Sequence, residues 1–204
     1  MKQKVALFDF DNTLSQGDSI YHLLKYYMVK HPLSVFRFIK VGVLYLGYKL
    51  NLCSFIPAKQ ALLFPLDKMS DQELQDFYIQ IIEPHYYLNV VKELEKRKEE
   101  GCVIVLCTAS VEEYMQYTRL PIDVLIGTKT KRINNHPSSI IISKNCKREE
   151  KVIRINEYLK EQGYEIDYDN SWGYSDSITD MPMLNMVKNK VKIELRTGKI
   201  GEWW

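Results

Sequence analysis

Val5–Phe8 (VALF) is apolar at every position and lacks the alternation of a half-exposed strand. That pattern predicts a strand buried on both faces, as in a parallel sheet. Cys102–Cys107 (CVIVLC) reads the same way, and shorter runs predict strands at Ile122–Gly127, Ser171–Tyr174 and Val191–Leu195. Between these runs the period lengthens to that of a helix. Over Ser70–Ile82, Leu74, Phe77, Tyr78 and Ile81 share a face, Ser70 and Glu73 have capping-box spacing, and Pro84 stops the pattern. Further helices are predicted at Asn89–Glu100, stopped by Gly101, and at Lys147–Gln162, closed by Gly163. Ser110 and Glu113 repeat the capping-box spacing after CVIVLC, and Met181–Pro182 opens a last helix. Arg132–Ser143 reads as a small β-hairpin, with Asn134, Asn135 and Pro137 near its turn and Ile140, Ile141 and Ile142 in its return.

Strands alternating with helices predict an α/β fold with a Rossmann-like parallel sheet core. Residues 16–84 break the alternation, because helical patterns fill most of the distance between the first two strands. They are read as an inserted helical cap, residues 16–87, on a core built from 1–15 and 88–204. A chain of 204 residues suits one domain with such an insertion, and a hydrophobic fraction of 46% suffices for its core.

Charge changes the picture only through its distribution. With 28 Lys and Arg against 26 Asp and Glu, the balance singles out no class of partner, and no nucleic-acid partner is expected. From Ser19 to Leu66, however, there is no acid, while Lys25, Lys30, Arg37, Lys40, Lys49 and Lys59 accompany Tyr21, Tyr26, Tyr27, Phe36, Phe38, Tyr45, Tyr48 and Phe55. Charges interrupt every apolar run there well short of the ~20 residues needed to span a bilayer. Two readings stand side by side. One is a helical bundle with a basic outer face; the other is a surface that meets anionic lipid headgroups or an anionic substrate. Cys53, Cys102, Cys107 and Cys146 show no CxxC spacing, and His22, His31, His85 and His136 form no zinc motif. No signal peptide is expected, since the chain enters its first strand at once. A reduced, cytoplasmic protein follows as the expectation, either free or peripheral at the inner face of the membrane.

Candidate chemistry gathers where the strands end. Asp9 and Asp11 follow the first strand, with Thr13 two residues on. If the strand persists that far, the two carboxylates point the same way and call for a cation beside them. Thr108 follows the second strand at a helix start, where backbone N–H groups favour a phosphate. Lys147 and Lys151 lie one helical turn apart at the start of another helix, and Asp176 and Asp180 follow the strand at Ser171–Tyr174. In a parallel sheet such junctions share one edge. Carboxylates, a hydroxyl and an ammonium gathered there suit phosphoryl transfer, with Mg2+ as the fitting cation.

In order, DFDNT, VLCT, a helix-start Lys and YSDSITD resemble the four motifs of the haloacid dehalogenase superfamily of phosphatases. The helical insert after the first motif resembles the phosphoserine phosphatase branch. Within it the closest likeness is to phosphatidylglycerophosphatase C-type hydrolases, whose Lys sits where CKREEKV places Lys151. Arg148 stands where those relatives tend to have Gly, Asn12 where many members have Gly or Ser, and Ala109–Ser110 where phosphoserine phosphatases have Gly-Gly. The resemblance implies that Asp9 attacks phosphorus to form an aspartyl-phosphate. Asp11 would serve as acid and base, its main-chain carbonyl also meeting magnesium, and Thr108 would hold a phosphoryl oxygen. Asp176 would complete a metal site with Asp9 and Asp11, and Asp180 would support that site or orient the Lys. Lys151 is the expected phosphate ligand, with Lys147 as the alternative. The expected activity is hydrolysis of a phosphomonoester, either a lipid phosphate such as phosphatidylglycerophosphate or a small soluble phosphate. A phosphotransferase and a non-catalytic phosphate- or membrane-binding protein are the rivals.

Overall fold

The computed structural model describes residues 1–50 and 55–203, and over 37–49 it describes the backbone but not the side chains of Phe38, Lys40 and Tyr45. Cys53 and Trp204 lie outside the described residues. In chain order the elements are β1 (Lys2–Gln3), β2 (Val5–Phe8), α1 (Ser19–Lys30), α2 (Arg37–Lys49), α3 (Phe55–Leu62), α4 (Asp71–Phe77) and α5 (Leu88–Glu99). They continue with β3 (Val103–Val111), α6 (Glu112–Met115), β4 (Val124–Thr128), α7 (Glu149–Glu161), β5 (Glu165–Ile166), β6 (Trp172–Ser175), α8 (Met181–Leu184), β7 (Asn189–Ile193) and β8 (Ile200–Glu202). The main sheet has the order β4-β3-β2-β6-β7-β8, parallel except at β8, and β1 pairs with β5 in a separate parallel ribbon. This is the α/β fold with a mostly parallel sheet that the apolar runs predict.

The period-2 geometry of β2 sets the two layers. Val5 and Leu7 face one side with Val105, Cys107, Ile155 of α7 and Leu184 of α8. Ala6 and Phe8 face the other with Ile104, Leu106, Leu94 of α5 and the inner faces of the insert helices. With both faces covered, β2 is fully buried, which is why its sequence does not alternate.

Several boundaries differ from expectation. Strand β3 does not stop at Cys107 but runs through Thr108 to Val111, so Ser110 lies in a strand and caps nothing. Helix α7 begins at Glu149 rather than Lys147, because Arg148 adopts φ 56° and ψ −125°, which no helix can include. Val191–Leu195 is not the last strand: β7 spans Asn189–Ile193 and β8 returns antiparallel beside it. The Ser70–Glu73 capping box is present, but after Phe77 the helix widens into a π turn over Tyr78–Ile82. At Arg132–Ser143 the chain forms a tight hairpin in which Ile133 and His136 exchange backbone hydrogen bonds. Asn134 and Asn135 have φ 49° and 65°, the positive pair that a two-residue hairpin turn demands. Its arms pair through isolated bridges, Thr130 with Ile141 among them, rather than through continuous strands.

Candidate active site

Strand β2 ends at Phe8, so Asp9 and Asp11 are not neighbours on an extended strand. Instead the chain turns tightly: Leu14 N–H and Ser15 N–H both donate to Phe10 O, and Asn12 takes φ 60°. Asparagine tolerates that left-handed conformation, and its Oδ1 accepts from Gly17 N–H at 3.1 Å. The turn still brings Asp9 and Asp11 to one cavity of about 180 Å3, which Asp18, Ala109, Lys147, Lys151, Asp176 and Asp180 also line.

Lys151 sits at its base. Its Nζ donates to Asp9 Oδ1 at 2.7 Å and to Asp180 Oδ2 at 2.8 Å, with the side chain 2% exposed. Ser175 Oγ also donates to Asp180 Oδ2 at 2.9 Å, which leaves that carboxylate oriented towards the ammonium. Burial works to lower the Lys151 pKa, but the two carboxylates outweigh it and hold the group protonated. Lys147 lies at the exposed rim of the same cavity, where its backbone belongs to the turn before α7.

The other carboxylates are held by hydroxyls and backbone. Thr13 Oγ1 lies 3.4 Å from Asp9 Oδ2 and 3.3 Å from Asp176 Oδ1, and accepts from Asp176 N–H at 3.0 Å. Asp11 Oδ1 accepts from Ser19 N–H at 2.8 Å, and Asp11 Oδ2 accepts from Ser110 Oγ at 2.6 Å. Ser19 is the first residue of α1, so that helix aims its positive end at Asp11. Ser110 Oγ also lies 2.6 Å from Ser19 Oγ, which is 2.9 Å from Tyr114 Oη, so a hydroxyl chain leads away from the acid. Burial pushes Asp9 up to about 7 despite the adjacent Lys151, and pushes Asp11 up to about 6, with the Asp18 carboxylate adding to the shift. Asp176 is raised by burial as well.

Thr108 is fully buried, and its Oγ1 accepts from Ser110 N–H at 3.0 Å; its neighbour Ala109, not Thr108, lines the cavity. Among the described residues no three of His, Cys, Asp or Glu converge as a ready-made metal cage. The donor set nonetheless suits Mg2+, which needs only one or two carboxylates completed by water and a phosphate oxygen. Asp9, Asp11 and Asp176 offer oxygens alone, and burial raises the pKa of all three by disfavouring the charged form.

Two residues here escaped the sequence reading. Ser110, read as a helix cap, is the hydroxyl partner of Asp11. Lys59, counted with the basic surface of the insert, is 2% exposed. From α3 its Nζ donates to Ala109 O at 2.6 Å, Asn145 Oδ1 at 2.6 Å and Thr128 Oγ1 at 3.1 Å. Burial without a carboxylate in contact pushes its pKa down to about 8, against the more distant pull of Asp11 and Asp18. Lys59 therefore ties an insert helix to the strand beside the cavity. Glu113, the other half of the expected cap, pairs with Arg132 of the hairpin.

Comparison with known structures agrees with this fold. A protein of unknown function from Bordetella pertussis Tohama I aligns over 94% of this chain and 90% of its own, with TM-score 0.78 and 23% identity. A phospho-aspartyl intermediate analogue of phosphoserine phosphatase aligns over 94% and 87%, with TM-score 0.64 and 15% identity. A substrate-bound phosphoserine phosphatase aligns over 97% and 90%, with TM-score 0.65 and 14% identity. No curated protein matches the chain. The family model for haloacid dehalogenase-like hydrolases matches residues 6–185, which takes in the carboxylates after β2, the end of β3, the Lys151 helix and the acids after β6. The chain belongs to the haloacid dehalogenase-like hydrolase family.

Proposed function

We propose that this hydrolase is a magnesium-dependent phosphatase that cleaves phosphomonoesters through an aspartyl-phosphate at Asp9. The observation that carries the reading is the pairing of Asp9 and Asp180 by buried Lys151, with Asp11 and Asp176 lining the same cavity. Its similarity in fold to phosphoserine phosphatases, one of them solved as a phospho-aspartyl intermediate analogue, supports it.

In the first step an oxygen of Asp9 attacks phosphorus, the ester P–O bond breaks, and the leaving alkoxide takes a proton from Asp11. In the second, water gives that proton back to Asp11 while its oxygen attacks phosphorus. The P–O bond to Asp9 then breaks and inorganic phosphate leaves. Lys151 opposes the charge that develops on the phosphoryl oxygens and draws the Asp9 pKa down against the effect of burial, with Asp180 orienting it. Thr108 Oγ1 accepts from Ser110 N–H beneath the Ala109 lining, and its hydroxyl proton would be donated to a phosphoryl oxygen that settles to the floor of the cavity. Magnesium, held by Asp9, Asp176 and the Asp11 main-chain carbonyl, would supply charge neutralisation on the phosphoryl group. Lys147 at the rim would meet the part of the substrate outside the cavity.

Residues 16–87 act as the cap that excludes bulk water and selects the substrate. A lipid phosphate such as phosphatidylglycerophosphate is the preferred substrate in this reading, met by a cytoplasmic enzyme at the inner face of the membrane. The acid-free, basic stretch Ser19–Leu66 favours it over a small soluble phosphate. A panel of phosphorylated metabolites and lipid phosphates, assayed with and without magnesium, tests the proposal. Hydrolysis of at least one monoester that chelation abolishes is expected; activity untouched by exhaustive chelation, or none on any monoester, refutes it.

A further inference from the structure

The insert leaves an unusual amount of apolar surface in water. Tyr21, Val29, Leu33, Val35, Phe36, Ile39, Val43, Leu46 and Leu50 are exposed, and Leu33 reaches 81%. Phe36, Ile39, Val43, Leu46 and Leu50 are spaced 3-4-3-4, which confines them to one narrow stripe along α2. Single exposed apolar residues need no explanation, but a contiguous stripe of them marks a surface that meets something else. The inner side of the same helix is already satisfied, since Val41 packs in the insert core.

We propose that the stripe Phe36–Ile39–Val43–Leu46–Leu50 is a docking surface that lays α2 flat into the headgroup layer of an anionic membrane. The proposal rests on the lipid-phosphate reading of the site and names the surface by which that substrate would be reached. Charge decides the occupant. No Asp or Glu lies between Ser19 and Leu66, and exposed cations flank the stripe, Arg37 and Lys49 on α2 itself and Lys25 and Lys30 on the preceding α1. A second copy docked isologously would set these cations against their own counterparts, with no acid in the segment to offset them. An anionic leaflet supplies the missing charge, each basic residue near the surface raising partition about fivefold. Beside α2 a groove of about 700 Å3 shares Phe36 with the stripe; apolar Val41, Leu44 and Phe64 line it together with Arg37, Gln60 and Ser139, so it is amphipathic, as a headgroup-level contact requires. No helix among the described residues is long and apolar enough to cross a membrane, so the contact is one of lying on the surface.

The test is flotation of the full chain with vesicles of phosphatidylcholine alone or mixed with phosphatidylglycerol. It is run at low salt and at ~1 M, where charges are screened within about 3 Å. The native chain and Asp9→Asn should both float with the mixed vesicles at low salt, and with neither preparation at high salt. The Ile39→Glu/Val43→Glu double variant should lose at least tenfold in partition yet hydrolyse soluble p-nitrophenyl phosphate at the native rate, since it touches no core or site residue. If the native chain stays with the lipid-free fraction, or the double variant floats as well as the native chain, the docking surface is refuted. Conversion of a native dimer into a monomer by the double variant, with flotation unchanged, assigns the stripe to self-association and overturns the proposal. Vesicle binding without hydrolysis of any monoester would leave the docking surface standing and remove the phosphatase reading instead.

Discussion

Lys151 and Lys147 separate cleanly by experiment. In Lys151→Met the ammonium that donates to Asp9 at 2.7 Å and Asp180 at 2.8 Å is replaced by an apolar chain of similar length. Each contact is worth about 6 kcal/mol by Coulomb's law at an effective dielectric of about 20, a gain largely offset by the burial of the charge. Removing one partner of such a buried cluster leaves its carboxylates uncompensated and costs about 3–5 kcal/mol of stability. The sign with pH follows from the carboxylates. Asp9 is already raised to about 7 with Lys151 beside it, and loss of the lysine raises it further. A carboxyl whose folded pKa lies above its unfolded value stabilises the fold below the unfolded pKa and loses that contribution as pH rises through the folded one. In metal-free buffer the deficit of Lys151→Met should therefore be small near pH 4 and largest above pH 7. The same ammonium should contribute about 3 kcal/mol to the transition state, or roughly a 150-fold loss in kcat/KM on p-nitrophenyl phosphate. Lys147→Ala, at the exposed rim, should change stability by less than about 0.5 kcal/mol and activity only a few-fold. Urea unfolding across pH together with steady-state kinetics on both variants checks this. The reverse ranking would move the phosphate-binding role to Lys147, and a Lys151→Met protein as stable as the native one at pH 8 would refute the electrostatic reasoning.

Arg148→Gly should stabilise the fold by about 1 kcal/mol in thermal unfolding, because φ 56° with ψ −125° is a conformation that glycine adopts without strain. A lower unfolding temperature would show that the arginine side chain matters more than its backbone. Lys59→Met should change global stability by less than about 2 kcal/mol, since Thr128 Oγ1 still donates to Ala109 O at 2.7 Å, but should speed proteolytic cleavage within the insert at least about tenfold. Unchanged cleavage would mean that Lys59 does not anchor α3. Asp11→Asn should lower kcat/KM, which reports formation of the aspartyl-phosphate, by about 10²–10⁴-fold for alkyl phosphates and far less for p-nitrophenyl phosphate, because in that step only the poorer leaving group needs a proton, while kcat falls on both because the second step loses its base. Equal losses in kcat/KM on both substrates would argue against Asp11 as the acid.

The central strands and the acids that follow them were legible because central parallel strands are apolar at every position and stop abruptly where they meet the site. Asp9, Asp11, Lys151, Asp176 and Asp180 all follow such runs or open the helix after one. What the sequence hid has particular causes. Ser110 and Glu113 carry capping-box spacing, but Ala109, Ser110 and Val111 extend β3 alongside β4, and tertiary pairing overrides the local signal. Arg148 conceals the true start of α7, since an arginine at positive φ leaves no mark in the pattern. Lys59 was grouped with its basic neighbours, yet it stands four residues before Leu63 and seven before Leu66, both fully buried, and so on the apolar side of its segment. That spacing was the available signal, and charge counting obscured it. Strand β8 escaped because Ile200–Glu202 holds a single large apolar residue, too short a run to announce a strand, and it returns to β7 through a turn over Glu194–Lys199 in which Gly198 N–H donates to Glu194 O.

The central claim is that Asp9 carries the phosphoryl group, and acid quenching during turnover followed by borohydride reduction tests it most directly. Reduction of an acyl phosphate converts the aspartate into homoserine, which peptide mass spectrometry locates. Homoserine at position 9, dependent on substrate and magnesium and absent from Asp9→Asn, is the expected result. Turnover that leaves Asp9 unmodified, or that labels another carboxylate in its place, would contradict it.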